Sequence, residues 1–265
     1  GHMAMYGNGT TAATGDSNIA IGECTLKNIC TGKKNVAMGI QTMCDITTGC
    51  YNMAFGHNAG RANATGNQNI YMGWYSACNR TSGDGNITMG RAALMGTAAG
   101  TNTGEYNIAI GNYAAECLTT GNRNVVMGCA AAKNVTTAED NVIFGTKAGN
   151  ALTTGKQQIA IGRCALYSED TNTTGQIAIG EDALKLTNTA TLGNIGIGMK
   201  AGESVTSGGE SVYIGYSAGG GTTGSKNVVI GYLALTASGS GEQNVVIGRD
   251  AGRNTTGSNN TIVGD

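Results

Sequence analysis

Proline is absent from the 265 residues, aromatic side chains make up 5%, charged side chains 12%, and histidine occurs twice. Each shortage excludes something. Without proline, the 45 glycines cannot belong to a collagen triple helix, which needs both residues in a three-residue period. The charged share falls well below the usual value of about 25%. With a net charge of −1 and the sixteen Lys and Arg dispersed, there is no field to draw phosphate backbones or acidic lipid, so neither nucleic acid nor a membrane surface is an expected partner. No apolar run approaches the roughly 18 residues of a membrane span, and no signal-peptide pattern opens the chain. Apolar residues still make up 40%, too many for plain disorder. What remains is a regular, backbone-dominated architecture.

What the chain has instead is a returning phrase. N-I-A-I-G begins at Asn18, N-V-A-M-G at Asn35, N-M-A-F-G at Asn52 and N-I-Y-M-G at Asn69, and the series runs through fifteen copies to N-T-I-V-G at Asn260. Most copies are 17 residues apart; one interval of 21 separates Asn86 from Asn107, where Met95-Gly96-Thr97-Ala98 reads as a four-residue loop insertion. Residues 1–3 read as an expression-tag remnant, 4–17 as a partial leading repeat and 18–265 as a single repeat domain. The chain stops one residue after a repeat's final glycine, which suggests a fragment of something longer.

A fixed period near 17 marks a stacked repeat, each unit too small to bury its own apolar face. The consensus T-G-x-x-N-h-a-h-G-x-x-A-[L/G] places an apolar pair at i and i+2, such as Ile19 and Ile21, between two turn signals. This predicts one short strand, or two, per turn of an all-β solenoid, a β-roll or β-helix of about fifteen turns. At about 4.8 Å per turn it would make a rod on the order of 70 Å long. The apolar pair is expected to face the core, so that Ile110→Asp should open local turns while Gly121-Asn122-Arg123 tolerates change. The Asn column, replaced only by Gln158, Gln176 and Ser211, is expected to form an amide ladder, and the alanine three residues after the closing glycine to fill a tight corner. The middle residue (Ala20, Ala37, Ala54, Tyr71, Thr88 and so on) is expected to point outward. Because it is almost never charged or amide, a neighbour should cover it, and three chains about a shared axis would do so. The alternative is a row of small exposed residues.

N-I-A-I-G-x-x-A-L with T-T-G-x-x-N resembles the shaft repeats of bacteriophage tail fibres and related virion or surface fibres, over residues 18–264. It is more distantly similar to the head repeats of trimeric autotransporter adhesins. The resemblance implies a homotrimeric, extracellular, non-enzymatic rod, made in a host cytoplasm, that spaces or presents a receptor-binding region.

Chemistry-bearing residues are sparse. Outside the remnant, His57 stands alone in Gly56-His57-Asn58, and the adjacent acids Glu139-Asp140, Glu169-Asp170 and Glu181-Asp182 read as solvated turn charges. No catalytic, cofactor-binding or metal-ligating residues are predicted. The eight cysteines lack C-x-x-C spacing and read as reduced, small apolar fillers. Two surface features could carry recognition. Tyr71, Trp74 and Tyr75, and later Tyr213, Tyr216 and Tyr232, could stack sugar rings of a host cell-surface glycan; the alternative is packing at a chain contact or corner. Threonine precedes the turn glycine at Thr14, Thr31, Thr48, Thr65, Thr103, Thr120, Thr154, Thr174, Thr223 and Thr256. A row of this kind resembles the ice-contacting faces of antifreeze β-solenoids, although turn-capping hydroxyls account for it as well.

Overall fold

The computed structural model describes residues 2–7, 14–97, 101–168, 174–187, 193–237 and 239–265. The chain is an all-β solenoid of parallel strands with about 17 residues per turn. Fifteen three-residue strands coincide with the repeated phrase, from Ile19–Ile21 to Thr261–Val263. They fall in two compact units, Gly1–Thr137 and Ala138–Asp265. The first unit carries seven strands, Ile19–Ile21 through Val125–Met127, each parallel to the next with like positions aligned. The second carries eight, Val142–Phe144 through Thr261–Val263, paired in the same way. The insertion predicted at 95–98 lies partly outside the described residues. At its described end, Asn102 Nδ2 donates to the carbonyls of Thr97 and Asn79, each at 2.8 Å.

Hydrogen bonds between turns extend beyond the strands. Ile19 N donates to Asn35 O and Gly39 N to Ile21 O, both at 2.8 Å, and in the loops Thr47 N donates to Ala64 O at 2.8 Å. Three columns of non-glycine residues are held in the left-handed region: the residue before the Asn, and the second and fourth after the closing glycine. Lys34, Gln41 and Met43 are one set, with φ of 57°, 55° and 45°. Such backbone costs on the order of 1 kcal/mol per residue. It is offset because each of these N–H groups reaches a neighbouring turn: Lys34 N to Asp16 O, Gln41 N to Glu23 O and Met43 N to Ala59 O, at 2.8–3.1 Å. At the closing glycine no other residue fits. Gly90 has φ +134°, and a Cβ there would lie 2.6 Å from Gly111 O.

The Asn column forms the expected ladder. Asn69 Nδ2 donates to Asn52 Oδ1 at 3.0 Å and to Gly83 O at 2.9 Å, while Asn69 Oδ1 accepts from Asn86 N at 2.8 Å and Asn86 Nδ2 at 3.2 Å. All these amides are buried. The alanine corner is buried too, from Ala59 and Ala93 to Ala234 and Ala251.

The inward and outward assignment of the strand is the reverse of the expectation. Ala37, Ala54, Tyr71, Thr88 and Ala109 at the middle position are 0% exposed, whereas the flanking Ile19 and Ile21 are 51% and 53% exposed and Met38 38%. Alternation decides it. The Asn side chain points in to reach its ladder, so the next residue points out, the middle one in, and the third out again. Ile110 therefore lies on the outer row, partly exposed, and Ile110→Asp is no longer expected to open the turns. Gly121 is buried and its carbonyl accepts from Asn107 Nδ2 at 2.9 Å, so tolerance of change does not extend to that glycine.

Core volume is shared between the middle position and the fourth residue after the glycine. Ala37, Ala160 and Ala178 share their turns with Met43, Leu166 and Leu184, while Ile143 and Tyr213 share theirs with Gly149 and Gly219. A Cβ at Gly60 would collide with the ring of Tyr71, and one at Gly219 with the ring of Tyr213. Tyr71→Ala should cost about 3–5 kcal/mol through the cavity it leaves. Adding Gly60→Leu, in a column where Leu26 and Leu94 already adopt this φ, should recover roughly 1 kcal/mol or more. Denaturant unfolding of the two single variants and the double variant checks this; simple additivity would contradict shared volume.

Candidate interaction surfaces

In each unit the strands leave an outward sheet face made by the two flanking rows. Met38, Met53, Met72, Met89 and Met127 in the first unit and Ile179, Ile197 and Ile247 in the second are exposed, and among the described residues neither row contains a charge. An exposed apolar face this regular is rare in a protein that works alone. It replaces the middle-position row as the surface that calls for a cover.

The six aromatic residues expected to present sugar platforms divide. Tyr71 and Tyr213 are wholly buried in the core, where burial pushes both hydroxyls above their ordinary pKa, so neither can touch a glycan. They occupy the middle position, which alternation turns inward. Trp74 and Tyr75 remain at the surface, their rings edge-on with centroids 5.0 Å apart, and Tyr216 stacks on Tyr232 at 5.2 Å.

Around Trp74 the structure adds residues that the sequence did not single out. The Arg91 guanidinium lies 4.6 Å from the Trp74 ring centroid and 5.2 Å from that of Tyr113, and Lys133 Nζ lies 5.3 Å from the Tyr113 centroid. Trp74, Arg91 and Tyr113 line, with Tyr75, Ala92, Met95 and Glu116, an open groove of about 250 Å³. The column arithmetic contains a signal for this group. Trp74 and Arg91 both follow a closing glycine directly, and Tyr113 is the second residue after the next one, so stacking of turns brings the three together.

Arg80 is a second residue that the sequence reading missed. Wholly buried, it takes the core column of Ile29 and Ile46, and its Nη1 donates to Leu118 O at 3.4 Å and Thr119 O at 3.3 Å, with Nη2 donating to Gly104 O. Desolvation lowers its pKa, partly opposed by Tyr71. Its contacts are backbone carbonyls beside the lengthened repeat, so its role is to satisfy acceptors there.

The threonine row is exposed at Thr31, Thr48, Thr65, Thr103, Thr120 and Thr256, but the exposed Lys33, Lys34, Arg123 and Lys156 lie in the neighbouring turn positions. Thr223 Oγ1 donates to Gly239 O at 3.2 Å, a bond between neighbouring turns rather than a local turn cap. His57 is exposed and sits against Tyr75, ring centroids 5.8 Å apart. Glu139 pairs with Lys156 at 3.2 Å and Glu181 with Arg163. Asp182 departs from the solvated reading: it is buried, with Lys185 Nζ at 3.1 Å. Glu169-Asp170 lies outside the described residues. Among the described residues no group of three His, Cys, Asp or Glu side chains could hold a metal ion.

The eight cysteines are free thiols. Cys44, Cys78 and Cys164 are buried and Cys129 is exposed. Burial first, then Asp45, pushes the Cys44 thiol up to about 11. Comparison with protein-family models, with curated proteins and with solved structures returned no match.

A thiol reagent at pH 8 should therefore label Cys129 first and leave Cys44 and Cys78 protected until the turns open. Mass spectrometry of peptides after timed labelling checks the order; early labelling of Cys44 would contradict its burial.

Proposed function

We propose that the chain is a non-enzymatic structural segment of an extracellular fibre, comparable to the shaft of a phage tail fibre, and that it works as a homotrimer made in a host cytoplasm. The observation that supports this reading most is the outward strand face, two charge-free rows of Ile, Val, Met and Phe broken only by Thr261 in the described strands. Each three-residue strand presents about 50 Å² (roughly 3.3 Å per residue by 4.8 Å between strands). Taken separately, the seven strands of the first unit present about 350 Å² and the eight of the second about 400 Å². A repetitive, hydrogen-bonded architecture suits a part that holds two others apart, its stability accumulating turn by turn. Spacing or presenting a receptor-binding region is the task that follows.

An ice-binding role has less support, because the threonine row lies beside exposed lysines and arginine. Ice contact favours a flat face free of charge.

Light scattering on a sizing column should give a mass near three times 26.7 kDa. Ile110→Lys with Met127→Lys, both on the outer rows, should dissociate the copies while the β-type circular dichroism is retained. A monomeric parent protein would overturn the homotrimer and send the threonine row to an ice-recrystallisation assay.

A further inference from the structure

We infer that the groove beside Trp74 binds an anionic sugar, a pyranose ring that carries a carboxylate. The inference goes beyond a spacer and does not depend on the number of chains. Three observations carry it. The groove, about 250 Å³, matches one or two sugar rings and sits just below the roughly 300 Å³ at which small-molecule sites begin. Its walls are aromatic and thioether surfaces from Trp74, Tyr75, Tyr113 and Met95, against which the C–H face of a ring can lie.

The third observation is the charge. Arg91 is exposed and, among the described residues, has no carboxylate partner. Its guanidinium is held over Trp74 and Tyr113, with the planar fork of donors already oriented. The other charges at the groove cancel, since Lys133 Nζ lies 3.3 Å from Glu116 Oε2. One unpaired, ring-mounted guanidinium beside an apolar wall selects a ligand that combines a carboxylate with an apolar face. The aromatic group of the second unit lacks this feature. There Arg249, 5.8 Å from the Tyr232 ring centroid, has its Nε 3.5 Å from Asp250 Oδ2.

Trp74 is the chain's single tryptophan, so its fluorescence reads this site alone. The full chain is titrated with trigalacturonate, with the uncharged galactose trimer and with acetate. The expected result is a saturable change with trigalacturonate, with a dissociation constant on the order of 1 mM, and little response to the other two. Arg91→Gln should weaken that response about tenfold with the melting temperature unchanged, because the Arg91 side chain is exposed, and Arg91→Lys should retain part of it. An equal response to the neutral trimer would overturn the carboxylate selection. An equal response to acetate would reduce the site to a bare anion contact. No response to any of the three, with emission that shifts on dilution of the protein, would assign the groove to contact with another copy and overturn the inference.

Discussion

The rest of this structure depends on the hydrogen bonding of each turn's backbone to the turns above and below it. Because those bonds hold like positions of successive turns in register, a residue's neighbours in space are the residues about 17 earlier and later in the chain. A side chain is then judged against its own column. Asparagine succeeds because its amide both donates and accepts, and so can extend a buried ladder without leaving a polar atom unsatisfied. Glycine persists at the strand end because the carbonyl of the next turn occupies the space of a Cβ. Left-handed backbone, costly elsewhere, is tolerated at Lys34, Gln41 and Met43 because it aims each N–H at an acceptor in an adjacent turn.

A small perimeter also rations volume. Size moves between the strand centre and the fourth residue after the glycine: Leu184 shares its turn with Ala178, Tyr213 with Gly219. Tyr71 and Tyr213 stand at the strand centre for that reason, as fillers of the space their glycines leave. Their rings look like recognition elements in the sequence because composition does not register which side of a strand is inside. Arg80 answers a local fault in the same economy. Near the lengthened repeat its guanidinium serves the carbonyls of Gly104, Leu118 and Thr119 from within the core.

The surfaces follow from the same alternation. Two apolar rows point outward from the strands, which is a reason for the protein to associate, and the column after the closing glycine carries the residues that vary most in kind, from Glu23 and Ile40 to Trp74, Arg91 and Tyr216. The frame repeats and that column does not. Variable chemistry on a repeating frame gives each turn its own local surface, and the groove at Trp74 is a place where such chemistry converges.

Period, strand positions, the buried alanine corner and the asparagine ladder were all legible in the sequence, because each is a column property and stacking turns columns into contacts. The facing of the strand was legible in principle: asparagine and the middle residue share parity, and a buried ladder at Asn69 puts Tyr71 inside. It was misread because Ile and Met look like core by composition, whereas the parity set by the buried asparagine, and not side-chain size, decides which row is inside. The sequence by itself determined the rungs and the residues that must be glycine. Only the tertiary structure decided which row faces out, that Asp182 is covered, and that Trp74, Arg91 and Tyr113 form one groove. Side-chain direction and sideways reach depend on φ values and volumes in neighbouring turns, and no single repeat encodes them.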